Sequence, residues 1–165
     1  MHNAVMRKFV TYRNAATLCA AFCLVPTLTL AQSAAAPSRL FASIGEKPAI
    51  LYDGLSTRAN KVYILSRFHP VEVLVKLDKW TKIRAQGNTI GWLESASLGE
   101  RRFILIASAQ AEIRAAPNGR AAIVFEAQRA VILELTGAAT AEGWLPVRHH
   151  DGEAGYVRVA QIWGA

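Results

Sequence analysis

Apolar and polar residues alternate along much of this chain. Val71, Val73, Val75 and Leu77 fall on one face of an extended segment, with Glu72, Leu74 and Lys76 on the other. Val131, Leu133 and Leu135 stand in the same way against Ile132, Glu134 and Thr136. Between such runs lie Asp53-Gly54, Gly87-Asn88, Pro117-Asn118-Gly119 and Asp151-Gly152, residue types that accept positive φ or preset a turn. From residue 39 onward no stretch shows a helical period with a cap at each end. The pattern predicts an all-β protein of short strands joined by tight turns.

The pattern is also written twice. Ala49–Arg58 aligns with Ala111–Arg120 at an offset of 62 residues (111 − 49), and Trp80–Leu93 aligns with Trp144–Val157 at an offset of 64 (144 − 80). Placing Val73 on Leu133 gives an offset of 60 (133 − 73) between them, which assigns the length changes to turn-like stretches. A period near sixty residues predicts two tandem small β-domains, residues 39–99 and 100–165, opened by Phe41–Ile44 and Phe103–Ile106. Leu51, Val73 and Trp80 in the first copy, and Ile113, Leu133 and Trp144 in the second, are expected to form the structural core. Trp92 and Tyr156 each follow a glycine, Gly91 or Gly155, where another chain can approach closely. Together with Tyr52 and Tyr63 they are the candidate binding residues, and Tyr52, Tyr63 and Trp92 are expected to form an exposed ledge. Because a domain of this size buries only about 60% of its unfolded surface, packing of the two against each other is a hypothesis for added stability.

The N-terminus changes the reading of charge. Arg7, Lys8 and Arg13 precede the apolar run Ala15–Leu30, and Thr29-Leu30-Ala31 offers small residues at a cleavage site. Residues 1–31 are therefore expected to be a signal peptide and residues 32–38 a disordered leader. The apolar run is shorter than the roughly twenty residues of a membrane span, so no integral span is expected once the signal is removed. An uncleaved anchor is the competing reading. Cleavage after Ala31 removes three of the 19 basic residues and none of the 12 acidic ones, which lowers the formal charge from +7 to about +4. That balance suits anionic envelope polymers and falls short of a nucleic-acid-binding stripe.

Catalytic chemistry finds little support. Cys19 and Cys23 both lie in the signal, so the mature chain has no thiol for a disulfide, a nucleophile or a zinc ligand. No Gly-x-Ser-x-Gly elbow occurs, and two small barrels offer no deep cleft for paired carboxylates. His149-His150-Asp151 contains metal-ligating types but falls where the first copy has Ala85-Gln86-Gly87, so a hairpin turn accounts for it and no metal is assigned. No enzyme activity and no cofactor are expected.

The ordered set Leu51, Val71-Glu72-Val73-Leu74, Trp80, Ile83-Arg84 and Gly91-Trp92-Leu93 resembles the bacterial SH3-like domain of exported proteins. So does its second occurrence, Ile113-Arg114, Pro117, Val131–Leu135, Trp144, Val147-Arg148, Asp151-Gly152 and Gly155-Tyr156-Val157. Pro70–Leu74 and the terminal Ile162-Trp163-Gly164 are similar to the two-copy exported group. Leu55-Ser56 and Tyr52 depart from the family's usual Pro-Ser or Pro-Asn pair and arginine. The resemblance implies two partly open barrels of about five strands each. It also implies a periplasmic or secreted, non-catalytic binding module for cell-wall peptide, peptidoglycan or an envelope protein. The alternative is a protein-interaction or structural component of the envelope that does not bind the wall.

Overall fold

A computed structural model describes residues 39–165. The expected signal peptide and leader lie outside the described residues. Strands β1 (Leu40–Ile44), β2 (Ala49–Tyr52), β3 (Lys61–Leu65), β4 (Pro70–Lys76), β5 (Trp80–Arg84), β6 (Ile90–Glu94) and β7 (Leu98–Gly99) form one antiparallel sheet. Its order is β3-β2-β6-β5-β4-β1-β7. A second antiparallel sheet holds β8 (Phe103–Ile106), β9 (Gln110–Arg114), β10 (Ile123–Gln128), β11 (Ile132–Leu135), β12 (Trp144–Arg148), β13 (Ala154–Arg158) and β14 (Ile162–Trp163). Its order, β10-β9-β13-β12-β11-β8-β14, repeats the first with every strand number raised by seven. The chain is all-β, as the alternation predicts. Among the described residues no helix is long and apolar enough to cross a membrane.

Each sheet encloses its own aliphatic cluster. Ile44, Leu51, Val71, Ile83 and Leu93 occupy the first, and Ile106, Ile113, Leu133, Val147 and Val157 hold the corresponding places in the second. Leu51, Ile113 and Leu133 are fully buried, in line with the core assignment. Val73 is not in its cluster and is only half-buried. The strand pairing shows why: Phe41 lies opposite Glu72, and Phe103 lies opposite Glu134. Leu133 thus corresponds to Val71, the offset stays at 62 (133 − 71) through the fourth strand of each sheet, and the two extra residues of the second copy fall between β11 and β12. A slip of two along a strand leaves every side chain on its original face, so alternation is blind to it. A bulge between Val73 and Val75 then breaks the run, and Val75 and Leu77 end exposed.

Trp144 is among the buried core residues and Trp80 is half-buried, and both lie outside the aliphatic clusters. Thr81 and Ile83 of β5 point inward and are fully buried, so Trp80, an odd number of residues from both, points outward. Trp80 is half-buried and meets the Tyr52 ring edge-on at 5.8 Å. Trp144 is buried on the outer side of its own sheet, with the Arg158 guanidinium 4.4 Å above its ring.

Glycine meets a steric demand at Gly91 and Gly155. A Cβ at Gly91 would come within 2.7 Å of the Tyr52 carbonyl oxygen, and one at Gly155 within 2.7 Å of that of Arg114. The third strand of each barrel wall crosses here at backbone contact.

The two sheets meet along β8. All four of its residues are buried, because Ile104 and Ile106 enter their own core while Phe103 and Leu105 face the other way. Ser43 of β1, fully buried, accepts a hydrogen bond from the Phe103 backbone N–H at 2.9 Å. Phe68 stacks on Phe103 at 4.5 Å, and Phe41 meets Trp163 edge-on at 5.2 Å. Gly164 closes the joint: at φ 111 its Cα sits where a Cβ would lie 2.6 Å from Pro70, and its carbonyl accepts from Arg102 Nη2 at 3.0 Å. The two sheets are thus in contact along this joint.

Two stability measurements follow from this arrangement. Ser43→Ala leaves the Phe103 N–H buried without a partner and is expected to lower the unfolding free energy in urea by about 1–3 kcal/mol. Gly155→Ala, which forces the β9 and β13 backbones apart, is expected to cost about 1–3 kcal/mol in the same assay. Wild-type stability in either variant would contradict the packing described.

Candidate functional site

Between the sheets lies a cleft of about 650 Å³. Its first wall is the turn between β3 and β4, which presents Arg67 and Phe68. Phe68 has a left-handed backbone, φ 65, held by its N–H donating to the Ile44 carbonyl at 3.1 Å. Ala130, 62 residues on (130 − 68), has φ 69 and donates to the Ile106 carbonyl at 3.0 Å. The left-handed turn therefore belongs to the fold, at a cost of about 1–2 kcal/mol for a non-glycine residue. What distinguishes the first copy is that this turn carries an aromatic ring, which it aims across the joint at Phe103.

The second wall comes from the other sheet: Arg101 and Phe103 at the start of β8, Ile132 and Glu134 on β11, and Arg148 with the following His149 and His150. The Arg101 guanidinium lies 5.2 Å from the Phe68 ring centre and 5.3 Å from that of Phe103, and Arg67 lies 5.6 Å from Phe68. At exposed sites such contacts are worth about 0.5–1 kcal/mol each. Their larger effect is to hold guanidinium groups beside an apolar floor. Glu134 approaches Arg101 at 3.6 Å and stands opposite Arg148 in the strand pairing. Three arginines against one carboxylate leave the cleft cationic, suited to a ligand with an anionic group beside an apolar one. Next to it, burial holds the His69 imidazole below its ordinary pKa, so that ring adds no further charge near neutral pH.

None of the residues selected from sequence lines this cleft. Tyr52 is buried against Trp80 and is not part of an exposed ledge. Its register places it opposite Trp92 on the outer face, where Lys82 Nζ lies 5.7 Å from the half-buried Trp92 ring. Tyr63 is exposed but sits on the edge strand β3 opposite Leu51. Tyr156 is half-buried in the other sheet, opposite Arg114 and Pro146. The four aromatics do not form one surface. Arg67, Phe68 and Arg101 carry one sequence signal: under an offset of 62, Phe68 falls on Ala130, an aromatic in a turn with no counterpart.

No curated protein matches the chain. Among solved structures it is similar to NlpC2 from Trichomonas vaginalis, with TM-score 0.37 and 13% identity over 78% of this chain and 49% of that one. NlpC1 from the same organism gives TM-score 0.36 and 16% identity, covering 79% of this chain and 47% of that one. An NlpC/P60 family protein from Bacillus cereus ATCC 10987 gives TM-score 0.36 and 14% identity, covering 75% and 56%. The chain spans about half the length of these proteins. Residues 107–164 match the family model of the bacterial SH3 domain. With β9 to β14 inside that match and the sheet closed around its own aliphatic core, the chain carries a bacterial SH3 domain at residues 107–164.

Proposed function

We propose that the protein is an exported, non-catalytic binding module of the cell envelope, and that its N-terminal sheet is a second domain of the same fold. The cleft between the sheets holds cell-wall peptide. The observation that carries this reading is the arginine-flanked Phe68–Phe103 stack, which pairs guanidinium groups with an apolar floor. Peptides of the wall offer the complementary features: free carboxylates and short apolar side chains. Export rests on the basic and apolar N-terminal segment, and the mature charge of about +4 favours approach to an anionic matrix.

A second reading, an envelope protein as partner, is favoured by the edge strand β3. There Val62, Tyr63 and Ile64 are all exposed, and among the described residues the strand has one unpaired edge on which an extended chain can add.

Co-sedimentation with purified peptidoglycan at low and high salt separates these readings. The wild-type protein is expected to remain bound at high salt. Arg101→Gln is expected to weaken retention about tenfold, the effect of losing one charge-assisted contact of roughly 1.4 kcal/mol or more. Binding that salt alone abolishes, and that Arg101→Gln leaves unchanged, would assign retention to net charge and remove the cleft from consideration.

A further inference from the structure

At the rim of the cleft the turn between β12 and β13 gathers His149, His150 and Asp151, with one potential ligand atom from each within 4.8 Å of the others. The backbone of this turn is fixed. His149 N–H donates to the Glu153 carbonyl at 2.8 Å, Gly152 N–H donates to the His149 carbonyl at 3.0 Å, and Gly152 takes φ 97. The His149 ring, mostly buried, rests against Phe125 at 5.7 Å. The three ligand groups are therefore displayed by a closed hairpin and not by a mobile loop.

Their contacts form a triangle. His149 Nδ1 lies 3.1 Å from Asp151 Oδ2, His150 Nε2 lies 2.8 Å from Asp151 Oδ1, and His150 Nδ1 lies 3.0 Å from His149 Nε2. Every atom at a corner of this triangle, ring nitrogen or carboxylate oxygen, is a metal-ligating type, so a cation seated among them replaces the contacts between side chains with bonds to one centre.

We propose that His149, His150 and Asp151 form a binding site for a divalent transition-metal ion of the zinc and copper class. The two imidazole nitrogens are borderline donors that favour these ions over magnesium or calcium, and a carboxylate oxygen is a known third ligand at zinc sites. Ligand atoms around a tetrahedral ion at about 2.0–2.2 Å stand roughly 3.4 Å apart, so small rotations of the side chains close the site without moving the turn. Three protein ligands leave the remaining coordination positions to water on the cleft side.

The test is calorimetric titration of tag-free mature protein with zinc chloride and, separately, copper chloride. One ion per chain is expected. His149→Ala and His150→Ala are each expected to weaken binding at least tenfold, the lower end of what even an outer-sphere change costs a metal site. Asp151→Asn, which preserves shape and removes the charge, is expected to weaken it as well. Wild-type thermal stability without metal shows that each variant is folded, and His69→Gln serves as a control that leaves binding intact. Arg101→Gln is also expected to bind zinc normally, so failure of the peptidoglycan reading and failure of the metal site are separable. No saturable binding to the wild-type protein, or binding that survives both histidine substitutions, overturns the proposal.

Discussion

Strand β8 is buried on both faces, and the architecture depends on that burial. One face, Ile104 and Ile106, completes an aliphatic core, while Phe103 on the other reaches the first sheet. Two covered faces are normal for strands sandwiched between layers but leave few places for polar backbone groups to find partners. Ser43 supplies the partner for the Phe103 N–H, from a position where the second copy has Leu105. Two units that share a topology are thereby distinguished at their contact: one brings a hydroxyl, the other a backbone donor. Phe41 against Trp163, and Gly164 against Pro70, extend the same joint.

The strand order common to the two sheets gives a shared framework, and the departures from it carry the chemistry. The left-handed turn before the fourth strand, the close approach at Gly91 and Gly155, and the inward aliphatic residues recur in both sheets. Phe68 in place of Ala130, and His149-His150-Asp151 in place of Ala85-Gln86-Gly87, do not recur. Both departures lie in turns, where a change of side chain disturbs no ladder of hydrogen bonds. Both also face the same cleft, because the joint along β8 turns those two loops toward each other. The guanidinium groups and the histidine–aspartate turn thus form neighbouring parts of one rim, the first suited to anions and the second to a cation whose open positions accept an anion.

How far the fold was legible depends on what each signal measures. Alternation reports faces and does so well: Leu51, Ile113 and Leu133 point inward as read. It does not report register, so Val73 was matched to Leu133 although Val71 holds that place. Hydrophobic size is a still weaker guide. Trp80 and Ile83 are three positions apart, an odd spacing that puts them on opposite faces of a strand, and parity alone was enough to place Trp80 outside the core. Tyr52 was misread for the converse reason: an outward residue is exposed only if no larger neighbour covers it, and Trp80 does.

Local periodicity and the self-similarity of the chain carry the class of the fold, the repeat of its pattern and the identity of most inward-facing residues. Packing of the two sheets sets which turns face each other and which outward aromatics are covered. It also decides that Arg67, Phe68 and Arg101 share a cleft with a histidine turn some fifty residues further along the chain from Arg101 (150 − 101 = 49). Those outcomes depend on how two sheets with separate cores pack, a contact between residues distant in the chain for which no local pattern leaves a mark.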